Sequence, residues 1–256
     1  MRGLFVTGTD TDVGKTVLSA SLLAAMRASG EPVVAYKPAV TGLDEPVERG
    51  EGQPPWPADH ELLAAAAEMA PEDVAPLRYG PAVSPQLAAE MAGVPLTRER
   101  VLDGARAALA RASSATADDV GNADDDVDRI LIVEGAGGLL SPLAEEMTVC
   151  DLAVALRLPL LIAARPGLGT VNHTLLTVQA ARAYGLDVRA VVLTPWQARP
   201  SRLEQSNRDA ITHFGFVEVD TLARADGPRL AELERIGSEL PWRRWLGAST
   251  TVVEPA

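Results

Sequence analysis

Hydrophobic positions along the chain fall into two alternating patterns. Residues 3 to 7 form a short, continuously apolar run that stops at Gly8, and Val17, Leu18, Leu22, Leu23 and Met26 then recur at helical spacing across residues 15 to 29 before Gly30. The same order of strand, loop and helix repeats. Further strands are expected at 32–36, 129–133, 159–164, 187–193 and 215–219, and further helices at 59–69, 84–92, 97–112, 148–157, 170–184 and 203–213. Strands that are apolar throughout are buried on both faces, and their separation by helices of this length predicts an α/β fold with a parallel sheet flanked by helices.

Two polar stretches interrupt this rhythm. Residues 44–58 are rich in Pro, Gly and charge, and residues 113–128 carry six Asp within sixteen positions. Both read as surface-loop insertions, and the acidic one lacks the spacing and terminal Glu of a calcium loop. Neither separates two sheets, so residues 1–256 are expected to form a single domain.

Composition narrows the function classes. A formal net charge of −12 argues against nucleic acid as a partner, since binding a phosphate backbone draws on clustered Lys and Arg. Cys150 is the one cysteine, which excludes an internal disulfide framework and suits a reducing, cytoplasmic setting. The apolar start reads as a buried strand because Asp10 and Asp12 follow it at once. No membrane association is expected, because the most apolar stretch, 152–164, is interrupted by Arg157 and Pro159 well short of the ~20 residues of a spanning helix.

The candidate chemistry begins at Gly8–Thr16, GTDTDVGKT, between the first strand and the first helix. A Gly-containing turn there gathers backbone N–H groups into one concavity, and the helix adds its partially positive N-terminus, so phosphates bind without a large net positive charge. The arrangement is similar to a P-loop NTPase. Lys15 would then neutralise terminal phosphates and the Thr16 hydroxyl would be one ligand of Mg2+, with Thr11, Asp12, Val13, Gly14 and Val17 the further candidate ATP-binding positions. Five residues rather than four separate Gly8 from Gly14, so the loop is a variant of the usual one.

RILIVEGAGG sets an apolar strand directly before Glu134 and the turn Gly135, Ala136, Gly137. The carboxyl edge of a parallel sheet is where ligands bind, so Glu134 is either a metal carboxylate or the cap of the next turn. Lys37 ends the second strand at the same edge, as a solvated strand end or as a second cation on the phosphates. A strand-end position predicts that its removal leaves the fold intact. Asp59 opens a helix, where N-capping competes with metal binding as its role.

Together GTDTDVGKT, YKPAVTG at 36–42, VEGAGGLLSPL at 133–143 and GLGTVNHTLLT at 167–177 resemble dethiobiotin synthetase in order and spacing over residues 3–222. The resemblance implies a ligase of biotin biosynthesis that joins 7,8-diaminopelargonate, CO2 and ATP into dethiobiotin, ADP and phosphate. It implies that Lys15 and Lys37 are catalytic, that Thr16, Asp59 and Glu134 surround Mg2+, and that Thr41 contacts substrate. Gly169, Thr170, Val171 and Asn172 would close the substrate's carboxylate end from a neighbouring subunit, making a homodimer.

The chain departs from the family at the base pocket. Many members carry an adenine-reading Asn after the strand corresponding to 188–193, where this chain has Thr194, Pro195 and Trp196. The Pro-containing turn near the base is also missing around Val219, Asp220 and Thr221. Two rivals share the loop: the ATP domain of an amidotransferase-type cobyrinate synthetase, which needs a nucleophilic cysteine, and a partitioning-type ATPase switch, which usually has a second lysine near the first glycine. Cys150 sits on an apolar helical pattern and reads as a packed thiol, and Thr9 and Asp10 occupy the position of that second lysine.

Overall fold

The computed structural model describes residues 2–45, 55–113 and 128–247, so most of both polar insertions lies outside the described residues. Chain order begins β1 (Arg2–Gly8), α1 (Lys15–Ala28), β2 (Val33–Tyr36), α2 (Asp59–Ala67), α3 (Pro71–Val74), α4 (Pro85–Ala92), α5 (Arg98–Ser113) and β3 (Ile130–Glu134). It continues with β4 (Pro142–Ala144), β5 (Met147–Thr148), α6 (Val149–Leu156), β6 (Leu160–Ala164), α7 (Thr170–Ala183), β7 (Val188–Trp196), α8 (Arg202–Gly215), β8 (Glu218–Ala223), α9 (Leu230–Ser238) and α10 (Trp242–Leu246).

Six strands form one sheet in the order β2-β3-β1-β6-β7-β8, with every neighbouring pair parallel. The parallel arrangement follows from the strands' two-faced burial: β3 and β6 are buried at all five positions. Alternation within β1 sends Leu4 and Val6 to one face with Leu18, Leu22 and Met26 of α1, while Phe5 joins Val133, Leu152 and Ile162 on the other. On the first face α1 lies against α9, so closely that a Cβ at Gly237 would collide with the Ser21 carbonyl oxygen. Trp242 and Trp245 are buried there as packing anchors.

The expected strands and helices occur, with two corrections. The last strand runs from Glu218 to Ala223 rather than 215–219, because α8 continues to Gly215 and ends on Phe216 in the left-handed region at φ 44°. Val219, Asp220 and Thr221 therefore lie inside the strand, and the turn beyond its carboxyl end starts at Arg224. The sequence reading also lacked the β4–β5 hairpin and the helices α3, α9 and α10. The hairpin strands are too short for alternation to register, whereas Leu233, Ile236 and Leu240 did carry a legible apolar spacing.

Candidate active site

The site forms where the carboxyl ends of β1, β2, β3 and β6 meet, with β1 at the centre. Thr9 N donates to Ala163 O at 3.0 Å and Gly135 N to Val6 O at 2.9 Å, extending the ladder into the two glycine-containing turns. Gly14 caps α1 at φ 91° without a side-chain hydrogen bond, and a Cβ there would come within 2.7 Å of Thr194 Cγ2. Glycine is thus required both by the backbone angle and by the close approach of β7. Val13 is buried and anchors the loop to the core, while Thr11 and Asp12 are exposed and Val17 is half-buried. The turn after β3 faces this loop: a Cβ on Gly138 would contact Thr9 O at 3.4 Å.

Charged groups converge beneath the loop. Lys15 is only 7% exposed and donates to Asp10 O at 2.7 Å. Lys37, 4% exposed, donates to Glu134 Oε1 at 2.5 Å and pairs with Asp59 Oδ2 at 2.8 Å, while the Thr16 hydroxyl donates to the same Glu134 Oε1 at 2.8 Å. Lys37 is therefore not a solvated strand end. Its backbone N–H bonds to Val74 O at 2.8 Å, so α3 fixes the chain as it leaves β2. Asp59 lies at the first position of α2, whose cap is Ala58, and its carboxylate turns to Lys37 rather than capping the helix.

Electrostatics follow from this burial. Desolvation pulls the Lys37 ammonium down, but the Asp59 and Glu134 carboxylates more than offset it and leave the pKa raised. Lys15 goes the other way: burial lowers its pKa, Glu134 pulls it back only in part, and Lys37 adds repulsion. At Asp59 burial raises the pKa while Lys37's charge and hydrogen bond lower it, with a net fall. Glu134 Oε2 is buried and has no hydrogen-bond partner. No group of three or more His, Cys, Asp or Glu side chains among the described residues is arranged to hold a metal; two carboxylates and a hydroxyl meet here instead.

The remaining candidates are more dispersed. Thr41 is half-buried next to Gly42, whose N–H bonds to Pro81 O at 3.0 Å. Gly169 and Asn172 are exposed at the start of α7, Val171 is half-buried, and Thr170 is buried with its hydroxyl 3.4 Å from that of Thr174. This segment follows β6 and is separated from β2, which delivers Lys37, by β1 and β3. Where the sequence led us to expect the base, Thr194 is buried, Pro195 exposed and Trp196 half-buried. Val219 is in the core and Asp220 and Thr221 are half-buried within β8, so the wall opposite Trp196 is the later turn, where Arg224 N donates to Trp196 O at 3.0 Å. Sequence reasoning missed Arg165, whose Nε donates to Asp12 O at 3.1 Å and Nη2 to Thr11 O at 3.4 Å. A lone Arg directly after a buried strand was the available signal.

A family model described as an AAA domain matches residues 2–235. An ATP-dependent dethiobiotin synthetase of Anaeromyxobacter sp. (strain Fw109-5) is 44% identical over 195 residues, covering 75% of this chain and 76% of that protein. Its counterpart in Mycobacterium avium (strain 104) is 36% identical over 251 residues, 97% of this chain and 99% of the other. That of Bacillus subtilis (strain 168) is 34% identical over 221 residues, 86% and 85% of the two chains. Among solved structures, a ParA family ATPase from Chlorobium tepidum TLS aligns with TM-score 0.50 at 12% identity, covering 93% of this chain and 97% of that one. At that identity the likeness concerns the fold alone.

Proposed function

The chain belongs to the ATP-dependent dethiobiotin synthetase family, a family of ligases, and from that membership we propose that it closes the ureido ring of dethiobiotin. One amine of 7,8-diaminopelargonate adds to CO2, loses a proton and becomes a carbamate. A carbamate oxygen then takes the γ-phosphoryl group of ATP, releasing ADP. The second amine attacks the carbamate carbon, a C–N bond forms, and phosphate leaves with the electron pair of the broken C–O bond as the amine sheds its proton. Phosphorylation converts a poor leaving oxygen into a good one, so the protein's task is positioning and charge stabilisation.

The observation that carries this reading is the Lys37 ammonium, buried between Asp59 and Glu134 directly below the loop that ends in Lys15 and Thr16. In the proposed roles Lys15 neutralises the transferring phosphate and Lys37 bridges phosphate and carbamate oxygens. Backbone N–H groups from Thr11 to Val17 cradle the phosphates, with Gly135, Ala136 and Gly137 facing them from the other side. The donor set fits Mg2+: Glu134 Oε2 is a buried carboxylate oxygen without a partner, and Thr16, Asp59 and Glu134 supply the hard oxygens this ion takes while keeping several waters. Bound there, Mg2+ would supply charge neutralisation between the phosphates. Thr41 contacts the substrate, and the ribose and base extend towards Thr194, Pro195 and the segment from Val219 to Thr221 with the turn beyond it.

A homodimer completes the substrate end with Gly169 to Asn172 of a second copy. Leu168, just before α7 and 90% exposed, and Leu176, midway along α7 and 56% exposed, support such an interface. Both core layers share one sheet, which supports reading the chain as one ligase domain. No helix among the described residues is long and apolar enough to cross a membrane, and the lone buried cysteine suits a cytoplasmic enzyme. The test is to incubate purified protein with diaminopelargonate, bicarbonate, ATP and magnesium and to assay dethiobiotin by mass. Product requiring all four is expected; ATP hydrolysis without dethiobiotin would favour a partitioning-type switch.

A further inference from the structure

The connection from β6 to α7, Arg165–Gly169, is stiffened at Pro166 but contains Gly167 and Gly169, which add backbone freedom after it. It is nevertheless tied from two sides. Arg165 reaches the carbonyls of Thr11 and Asp12, as described above. From the opposite direction Asn207, on the second turn of α8, donates through Nδ2 to Pro166 O at 2.9 Å and to Gly167 O at 3.0 Å. Asn207 is 8% exposed. Asn is a poor residue for a helix interior, and its amide is costly to bury unpaired. A primary amide is suited to this spot, because one nitrogen carries two hydrogens without adding a charge.

We infer that Asn207 is a positioning residue: it fixes the backbone that leads into Gly169–Asn172 and thereby sets how the start of α7 meets the substrate's carboxylate end. This rests on the substrate role given to that segment above. The two hydrogen bonds end on the loop, so removing them leaves Gly167 O only the bond from Thr170 N at 3.3 Å and loosens Pro166–Gly167, while α8 remains held by Ile211 in the core and by the Ser201–Glu204 capping box. The Arg165 contacts hold one end of the loop against the phosphate loop and α7 begins at the other, so loosening is confined to the stretch between Arg165 and the start of α7. Small displacements of a positioning group are costly to binding and orientation.

The test compares wild type with Asn207→Ala and Asn207→Ser, varying diaminopelargonate and ATP separately and following hydrogen exchange of residues 165–172. The alanine variant is expected to raise KM for diaminopelargonate roughly tenfold, the scale of one or two lost hydrogen bonds. KM for ATP and kcat should change by less than about threefold on the same grounds, and exchange should quicken within 166–172. Serine, whose hydroxyl is one bond shorter than the amide arm and cannot span to either carbonyl, should behave like alanine. A folded alanine variant with unchanged KM for diaminopelargonate, or with both KM values rising together, overturns the inference. If alanine does not fold, the serine variant is judged by the same criteria. A wild-type protein that makes no dethiobiotin overturns the functional reading and the substrate assignment with it, while the exchange data still decide whether Asn207 tethers the loop.

Discussion

The phosphate-loop end of the candidate site and the end proposed to hold the base sit on the same sheet edge, yet they are built under different constraints. At the phosphate end Lys15, Lys37 and Glu134 are nearly or wholly buried, and Lys37 pairs with two carboxylates. Charge taken out of water must be matched in place, so each group depends on its neighbours. At the base end Thr194 is buried against Gly14, but Pro195 and Arg224 are exposed and Trp196 is half-buried. Contacts with a base at such a surface tolerate replacement. On the proposed reading the buried end fixes the chemistry, and the open end leaves room for divergence in what is recognised.

Lys37→Ala should break the buried end most severely. Loss of the cation proposed to bridge the transferring oxygens is expected to lower turnover by roughly 10²-fold or more. The structure adds a stability cost that a strand-end position did not predict. Glu134 would keep a buried carboxylate without its ammonium partner, a change on the order of 3–5 kcal/mol. Steady-state kinetics with thermal melts measure both, and a variant with wild-type turnover and melting would show that the pair does neither job. Lys37→Arg should recover less turnover than stability, since a planar guanidinium restores charge but not the compact geometry.

Glu134→Gln is milder because the amide keeps the shape and the hydrogen bond from Thr16. Turnover should fall by about 10-fold to 10²-fold, and half-maximal activity should require more magnesium. Magnesium titrations at saturating ATP read this, and an unchanged magnesium requirement would remove Glu134 from the metal set.

The open end sharpens the contrast through nucleotide choice. With no adenine-reading side chain at Thr194, catalytic efficiencies for ATP, CTP and GTP should differ by less than roughly 10²-fold, since strong rejection needs polar groups left unpaired by the wrong base. An exclusive preference for ATP would move base reading to the turn that begins at Arg224.

The smallest effect is expected away from both ends. Burial pushes the Cys150 thiol up to about 11, with Asp151 adding to it. The thiol is therefore neutral at ordinary pH and its reactive thiolate appears only as pH approaches that value. Native protein should resist iodoacetamide at pH ~8, and Cys150→Ala should retain turnover, given the inertness of buried structural thiols. Rapid alkylation with loss of activity would revive a nucleophilic role.

The parallel sheet and the phosphate loop were legible because their signals are local. Continuous apolar runs mark buried strands, and GTDTDVGKT lies wholly between one strand and one helix. The end of the last strand was misplaced for an equally local reason: α8 runs to Gly215, which moves β8 and carries Val219 to Thr221 into the strand. The hairpin after β3 left no readable alternation, and Asn207 gave no sign of its role, since its partners at Pro166 and Gly167 are about forty residues away, as the separations of 41 and 40 show.

The sequence by itself determined the layer architecture, the phosphate loop and the identity of the charged candidates, since periodicity and motif spacing are properties of neighbouring residues. It could not say whether Lys37 is a solvated strand end, or whether Asp59 caps its helix. Tertiary structure decided both. Lys37 and Glu134 are 97 positions apart in the chain, and only the side-by-side order β2-β3-β1 brings their strand ends together. Once they meet out of water, the cost of an unpaired charge makes the ion pair the condition for burying either group.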